Sequence, residues 1–123
     1  MYEIFIETHF SAAHHLRGYD GDCAKTHGHN WIVEVHIQCK KLNDIGIGVD
    51  FRDVKQAVKN ILSRLDHTDL NELPEFADVN PSSENIAAYV YRKLNDEFQD
   101  ENTRVSKVRV SEAPNVGVYY WED

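Results

Sequence analysis

"HNWIVEVHIQC", residues 29–39, decides the fold. Trp31, Val33, Val35, Ile37 and Cys39 alternate with Glu34, His36 and Gln38. Successive side chains on a β-strand point to opposite faces, so one face of this strand lies in a core and the other is polar. One-sided burial belongs to antiparallel sheets, because strands buried in parallel sheets are apolar on both faces. Working back, "MYEIFIETHFSAAHH" (1–15) places Tyr2, Ile4, Ile6, Phe10, Ala12 and His14 in one register and predicts a strand over 2–13. The Gly- and Asp-rich loop "RGYDGDCAKT" (17–26) joins the two strands, which are expected to pair.

Working forward, the period changes. In "DFRDVKQAVKNILSRL" (50–65), Phe51, Val54, Val58, Ile61, Leu62 and Leu65 fall at helical spacing, with Asp50 as N-cap. "NPSSENIAAYVYRKLNDEF" (80–98) repeats the pattern through Ile86, Tyr89, Val90, Leu94 and Phe98, capped by Ser82 or Ser83. Between them "DHTDLNELPEFADVN" (66–80) reads as a polar loop. "RVSKVRVSE" (104–112) returns to period two, "APN" (113–115) is a turn, and "VGVYYWE" (116–122) is the last strand. The expected order is β-β-α-α-β-β, an α+β fold: a four-stranded antiparallel sheet with two helices on one face, a single domain over 1–123. So small a sheet exposes its edges, which predicts pairing with another subunit.

At 123 residues the chain is long enough to fold without a metal or disulfide staple. Its net charge is −8, and no basic tract exceeds Lys40-Lys41, which argues against nucleic acid or an anionic membrane as partner. An anionic substrate would need local cations, for which Arg17 and Lys25 are the candidates. Two cysteines and no basic-then-apolar leader point to a reducing, cytoplasmic setting with free thiols. No apolar run approaches the ~20 residues of a membrane span.

The chemistry gathers in "DCAKTHGHN" (22–30). His27 and His29 are two apart at the start of a strand, so both face the same way, in the register of Trp31 and Val33. Two parallel imidazoles suit one metal ion. His14, at the end of the first strand, can supply a third. Three neutral imidazoles leave zinc its full charge and one open position, the pattern of catalytic zinc. An ordinary exposed His-Gly-His is the plain alternative. Cys23 is either a fourth ligand, closing the site, or a free base or nucleophile beside the ion; spacing does not choose. His9, His15 and His36 are less well placed, and Cys39 continues an apolar register as a small hydrophobe.

Two further features stand out. Asp66 and His67 are adjacent, a pairing that can fix an imidazole tautomer for proton transfer, although His also simply favours helix C-termini. Glu112 continues the buried register of Val108 and Val110, where an unpaired carboxylate is costly. A ligand edge offering two parallel N–H donors would satisfy it, unless it is merely an exposed strand end.

"FSAAH" (10–14), "CAKTHGHN" (23–30), "VDF" (49–51), "LDHTDLN" (65–71), "NPSSENIA" (80–87) and "VSEAPN" (110–115) together resemble the 6-pyruvoyltetrahydropterin synthase superfamily, in order and spacing, over essentially the whole chain. The three residues between Cys23 and His27 resemble its 6-carboxytetrahydropterin-forming branch. The resemblance implies a tunnelling fold (T-fold), with subunits joined into a homo-oligomer, a hexamer as a dimer of trimers with active sites between subunits. It implies zinc on His14, His27 and His29, Cys23 as catalytic base, Asp66 and His67 as a second proton-transfer pair, and Glu112 as anchor of the pterin edge.

The implied substrate is 7,8-dihydroneopterin triphosphate. The products would be 6-carboxy-5,6,7,8-tetrahydropterin, acetaldehyde and triphosphate, on the route to queuosine. The rivals are a pyruvoyl-forming enzyme that stops before carbon–carbon cleavage, and a non-catalytic zinc- or pterin-binding module. Ala113 stands where the family usually has Thr, and Pro81-Ser82 where it has Pro-Thr. Ser82 keeps the hydroxyl as a candidate substrate contact.

Overall fold

The computed structural model describes residues 1–123. Strands β1 (Tyr2–His14) and β2 (His27–Cys39) pair antiparallel along their whole length, from Tyr2 opposite Cys39 to His14 opposite His27. Helix α1 (Phe51–Ser63) follows, then the two-residue strand β3 (Thr68–Asp69), helix α2 (Ser83–Asn95), and the hairpin β4 (Thr103–Ala113) and β5 (Val116–Tyr120). The sheet order is β3-β1-β2-β4-β5. The four long strands are antiparallel neighbours as expected. The short β3 is the addition: it runs parallel to β1 at Ala12 and Ala13. Two residues are too few to show a period, so β3 left no sequence signal.

The alternation in β1, β2 and β4 delivers one apolar face, and both helices lie on it. Ile6, Phe10, Trp31, Val33, Val35, Ile37, Val108 and Val110 meet Val54, Val58 and Leu62 of α1 and Ile86, Val90 and Leu94 of α2 in a core of 22 buried residues. Each large side chain there contributes roughly 1.5–3 kcal/mol of burial, so the fold does not depend on a metal. The helix starts are set by capping: Asp50 accepts the Arg52 N–H at 2.9 Å, and Ser82 accepts the Asn85 N–H at 3.2 Å.

The segment between the helices is more than a polar loop. It holds β3 and two 3-10 turns, Leu70–Glu72 and Pro74–Phe76, and Leu70 and Phe76 are buried. Each turn is only three residues long, too short for a period to be read, which is why the sequence hides this plug. The sheet's other face carries no helix; Phe5 and Tyr119 stand exposed on it, and His36 is buried between them with Nε2 2.6 Å from Glu34.

Two irregularities interrupt β4. One is a register shift against β2 at His36/Ile37. The other faces β5: Val110 is opposite Val118 and Ala113 opposite Val116, so Ser111 and Glu112 together face Gly117. Two residues against one is a β-bulge, a device that re-aims a side chain.

Candidate active site

The β1–β2 register builds the centre of the site. Residues opposite each other in a sheet share a face, so pairing His14 with His27 and Ala12 with His29 puts all three imidazoles on one side. Their ligand atoms lie within 4.8 Å of one another. Beneath them Trp31 is fully buried, edge-on to His14 and His29 with ring centroids 4.8 and 5.1 Å away, and its indole N–H donates to the Ala12 carbonyl at 3.2 Å. This apolar floor holds the rings in place.

The backbone fixes the tautomers. His14 Nδ1 lies 2.7 Å from the Pro81 carbonyl oxygen, and His27 Nδ1 lies 2.7 Å from the Lys25 carbonyl oxygen. A carbonyl only accepts, so each Nδ1 carries the proton and each Nε2 presents a lone pair. This is how metal-binding imidazoles are oriented in proteins. Nε2 of His14 and of His29 is buried and has no hydrogen-bond partner. Burial lowers the pKa of both rings below the ordinary histidine value, and the neighbouring imidazoles push the same way. Converging, with Nε2 of His14 and of His29 buried and unpartnered, the three could hold a metal ion, and an all-imidazole donor set suits zinc.

Cys23 sits in the 3-10 turn Asp22–Ala24 of the β1–β2 loop, half-buried. Its carbonyl accepts the Leu16 N–H at 2.8 Å, which draws the loop back toward the end of β1. The sulfur is not among the converging ligand atoms. Of the two roles open to it, the geometry favours the free thiol.

Glu112, near the end of β4, reaches the same place. Its carboxylate oxygens lie 3.6 Å from His29 Nε2 and 4.0 Å from His14 Nε2, with the side chain about one-third exposed. Glu112 therefore faces the imidazoles. Its other neighbour is Ser83, whose hydroxyl is 3.5 Å from Oε1. Ser83 was missed as a site residue and Ser82 took its place in the sequence reading. Ser82 instead caps α2, and the choice turns on a one-residue shift of the helix start.

Asp66 and His67 form a second group at the open edge of β1. Asp66 Oδ1 accepts the Ser11 N–H at 2.9 Å, while Oδ2 is 2.9 Å from His67 Nδ1. The Ser11 N–H, with His67 adding, holds the Asp66 carboxyl below the usual carboxylate range. His67 has φ 59°, a left-handed backbone that costs a non-glycine residue roughly 1–2 kcal/mol, held by its N–H on the Ser11 carbonyl at 2.6 Å. The imidazole itself is 81% exposed, and the pair lies three strand residues from His14, about 10 Å along β1.

The two candidate cations fare differently. Arg17 is spent: its guanidinium donates to the carbonyls of Phe76 at 2.7 Å, Val79 at 3.2 Å and Asn71 at 3.5 Å. It ties the β1–β2 loop to the inter-helix segment and is not a free anion ligand. Lys25 keeps an exposed side chain and uses its carbonyl to orient His27.

Comparison with known proteins places this sheet, with its paired helices and imidazole triad at one end of the β1–β2 hairpin, among the pterin synthases. Residues 3–123 match the family model described as 6-pyruvoyl tetrahydropterin synthase, and the chain belongs to that family. It is 40% identical over 109 residues, 89% of this chain and 86% of the relative, to a protein of Archaeoglobus fulgidus provisionally named 6-carboxy-5,6,7,8-tetrahydropterin synthase. It is 29% identical over 102 residues, 81% of this chain and 73% of the relative, to the 6-pyruvoyl tetrahydrobiopterin synthase of Dictyostelium discoideum. The fold matches the Caenorhabditis elegans 6-pyruvoyl tetrahydropterin synthase with a TM-score of 0.83 at 24% identity, covering 100% of this chain and 98% of that one.

Proposed function

We propose that this chain is a zinc-dependent carbon–carbon lyase. It converts 7,8-dihydroneopterin triphosphate and water into 6-carboxy-5,6,7,8-tetrahydropterin, acetaldehyde and triphosphate, on the route to queuosine. The observation that carries the reading is the position of Glu112. A carboxylate set beside three converging imidazoles gives one site both a metal and an anchor for a pterin edge.

The roles are those the family resemblance implies, and the geometry supports them. Glu112 accepts the two parallel N–H donors of the pterin edge, which turns the substrate's side chain toward the imidazoles. When bound there, zinc supplies Lewis acidity, polarising the side-chain oxygens and making the neighbouring C–H and O–H bonds more acidic. Cys23, outside the ligand set, takes a proton from the side chain. Asp66 holds His67, which moves a second proton. His67 points into solvent in the single chain, which supports a homo-oligomer, a hexamer in this reading, with the pair reaching a neighbouring subunit's site. No helix is long and apolar enough to cross a membrane.

The carboxy product is favoured over the pyruvoyl one by the 40% identical relative and by the three-residue spacing from Cys23 to His27. Product analysis with dihydroneopterin triphosphate and metal-replete protein decides it. Acetaldehyde equal to triphosphate supports the lyase; triphosphate without acetaldehyde supports the pyruvoyl-forming enzyme. Absence of turnover sinks both.

A further inference from the structure

The contact between Glu112 and His14 is unfavourable as it stands. His14 Nε2 presents a lone pair, because its proton is committed through Nδ1 to the Pro81 carbonyl. It faces a carboxylate oxygen at 4.0 Å, and His29 Nε2 faces the other oxygen at 3.6 Å. The His14 lone pair and the carboxylate repel in a partly desolvated site, and a cation between them turns the contact into attraction. Both Nε2 atoms are buried without a partner. The one hydrogen bond that Glu112 receives, from Ser83, is 3.5 Å long, too weak to hold the carboxylate elsewhere.

The spacing fits a shared ion. Four ligands at ~2.0–2.1 Å around tetrahedral zinc stand about 3.3 Å apart; as it lies, Glu112 is not among the converging ligand atoms, but its oxygens are 3.6 Å and 4.0 Å from two of the three imidazoles, within a side-chain rotation of that spacing. We infer that, before substrate binds, Glu112 is the fourth ligand of the metal, and that the pterin edge displaces it. This rests on the metal reading of His14, His27 and His29 given above. A single carboxylate cannot bind the ion and also accept two parallel N–H bonds. Anchoring the pterin therefore frees the coordination position that the substrate's side chain needs. The resting site is closed, and the correct ring opens it. Free phosphate or another small anion, lacking the ring, does not.

Cobalt(II) in place of zinc reports the ligand set through its visible absorption. The experiment loads wild-type protein and Glu112→Gln, records spectra and affinities, then adds 7,8-dihydropterin, which carries the ring edge but no side-chain oxygens. Wild type should show a four-coordinate spectrum that shifts on adding the pterin. Glu112→Gln should differ before any addition, bind cobalt more weakly by at least on the order of tenfold, and show no further shift. If wild type and Glu112→Gln give the same spectrum, the inference is overturned even if affinity falls, because charge alone would then explain the loss. Failure of wild type to bind cobalt overturns the triad reading instead. His27→Ala, which should abolish cobalt binding whether or not Glu112 ligates, tells the two failures apart. Far-ultraviolet circular dichroism confirms that each variant is folded.

Discussion

His14 Nδ1 donates to the carbonyl oxygen of Pro81 at 2.7 Å, tying the end of β1 to the residue before the α2 N-cap. One bond thus joins the sheet, where the imidazoles sit, to the helix start, where Ser83 meets Glu112. The imidazole triad and the helix start beside Glu112 therefore share one backbone junction. Proline suits this place, since its fixed φ prepares the helix entry and its missing N–H leaves the carbonyl as the group the junction uses.

Cys23→Ala separates the two roles of the thiol. With the sulfur outside the converging atoms, the variant should keep the metal stoichiometry of the wild type, measured by elemental analysis after gel filtration. Turnover should fall on the order of 10²- to 10⁴-fold, the usual value of a general base. Loss of metal along with activity would make Cys23 a ligand and the site a closed structural one.

Ser82 and Ser83 are adjacent hydroxyls with different work. Ser82→Ala removes the cap bond to the Asn85 N–H and should cost about 1 kcal/mol in urea unfolding, with little change in pterin affinity. Ser83→Ala should leave stability within about 0.5 kcal/mol. It removes the hydroxyl beside Glu112, so KM for the pterin should rise while kcat holds. The reverse pattern would return the substrate contact to Ser82.

Much of this was readable in the chain. Alternation in Tyr2–His14 and His27–Cys39 gave the strands. The two-residue spacing of His27 and His29 gave their common face, and the register of Val108 and Val110 gave the direction of Glu112. What escaped depends on partners distant in sequence. Arg17 looked like a free cation because the carbonyls of Asn71, Phe76 and Val79 that occupy it lie more than fifty residues on. The bulge at Ser111 and Glu112 exists only through the pairing with Gly117.

Gly117 carries that bulge. A Cβ there would lie 2.5 Å from Ser111 Oγ and 3.0 Å from Arg109 Nε, so Gly117→Ala must displace the buried Ser111 side chain or shift the β4–β5 pairing. Crowding of this kind typically costs 1–3 kcal/mol, about that much in unfolding free energy here. Because Glu112 is the other residue of the bulge, the variant should also bind pterin more weakly and, with Glu112 a resting ligand, hold its metal less tightly. A Gly117→Ala protein with wild-type KM would mean that Glu112 is aimed by something other than the bulge.

Arg64 and Glu75 staple the end of α1 to the inter-helix segment, with Nε 2.6 Å and Nη2 2.8 Å from the two carboxylate oxygens. These paired hydrogen bonds pull the Glu75 carboxyl down to about 2, from an ordinary 4.5. A depressed carboxyl binds its proton more readily in the unfolded chain, so its stabilisation is fully present above pH 4.5 and is lost as pH falls through about 2. The effect is modest, since Arg64 is half exposed and water screens the pair. Urea midpoints of wild type and Glu75→Gln should differ by a constant amount from pH 7 to about pH 5. The gap should narrow below pH 4.5 and close near pH 2. A gap that stays constant down to pH 2 would show that Glu75 acts through its shape and not its charge.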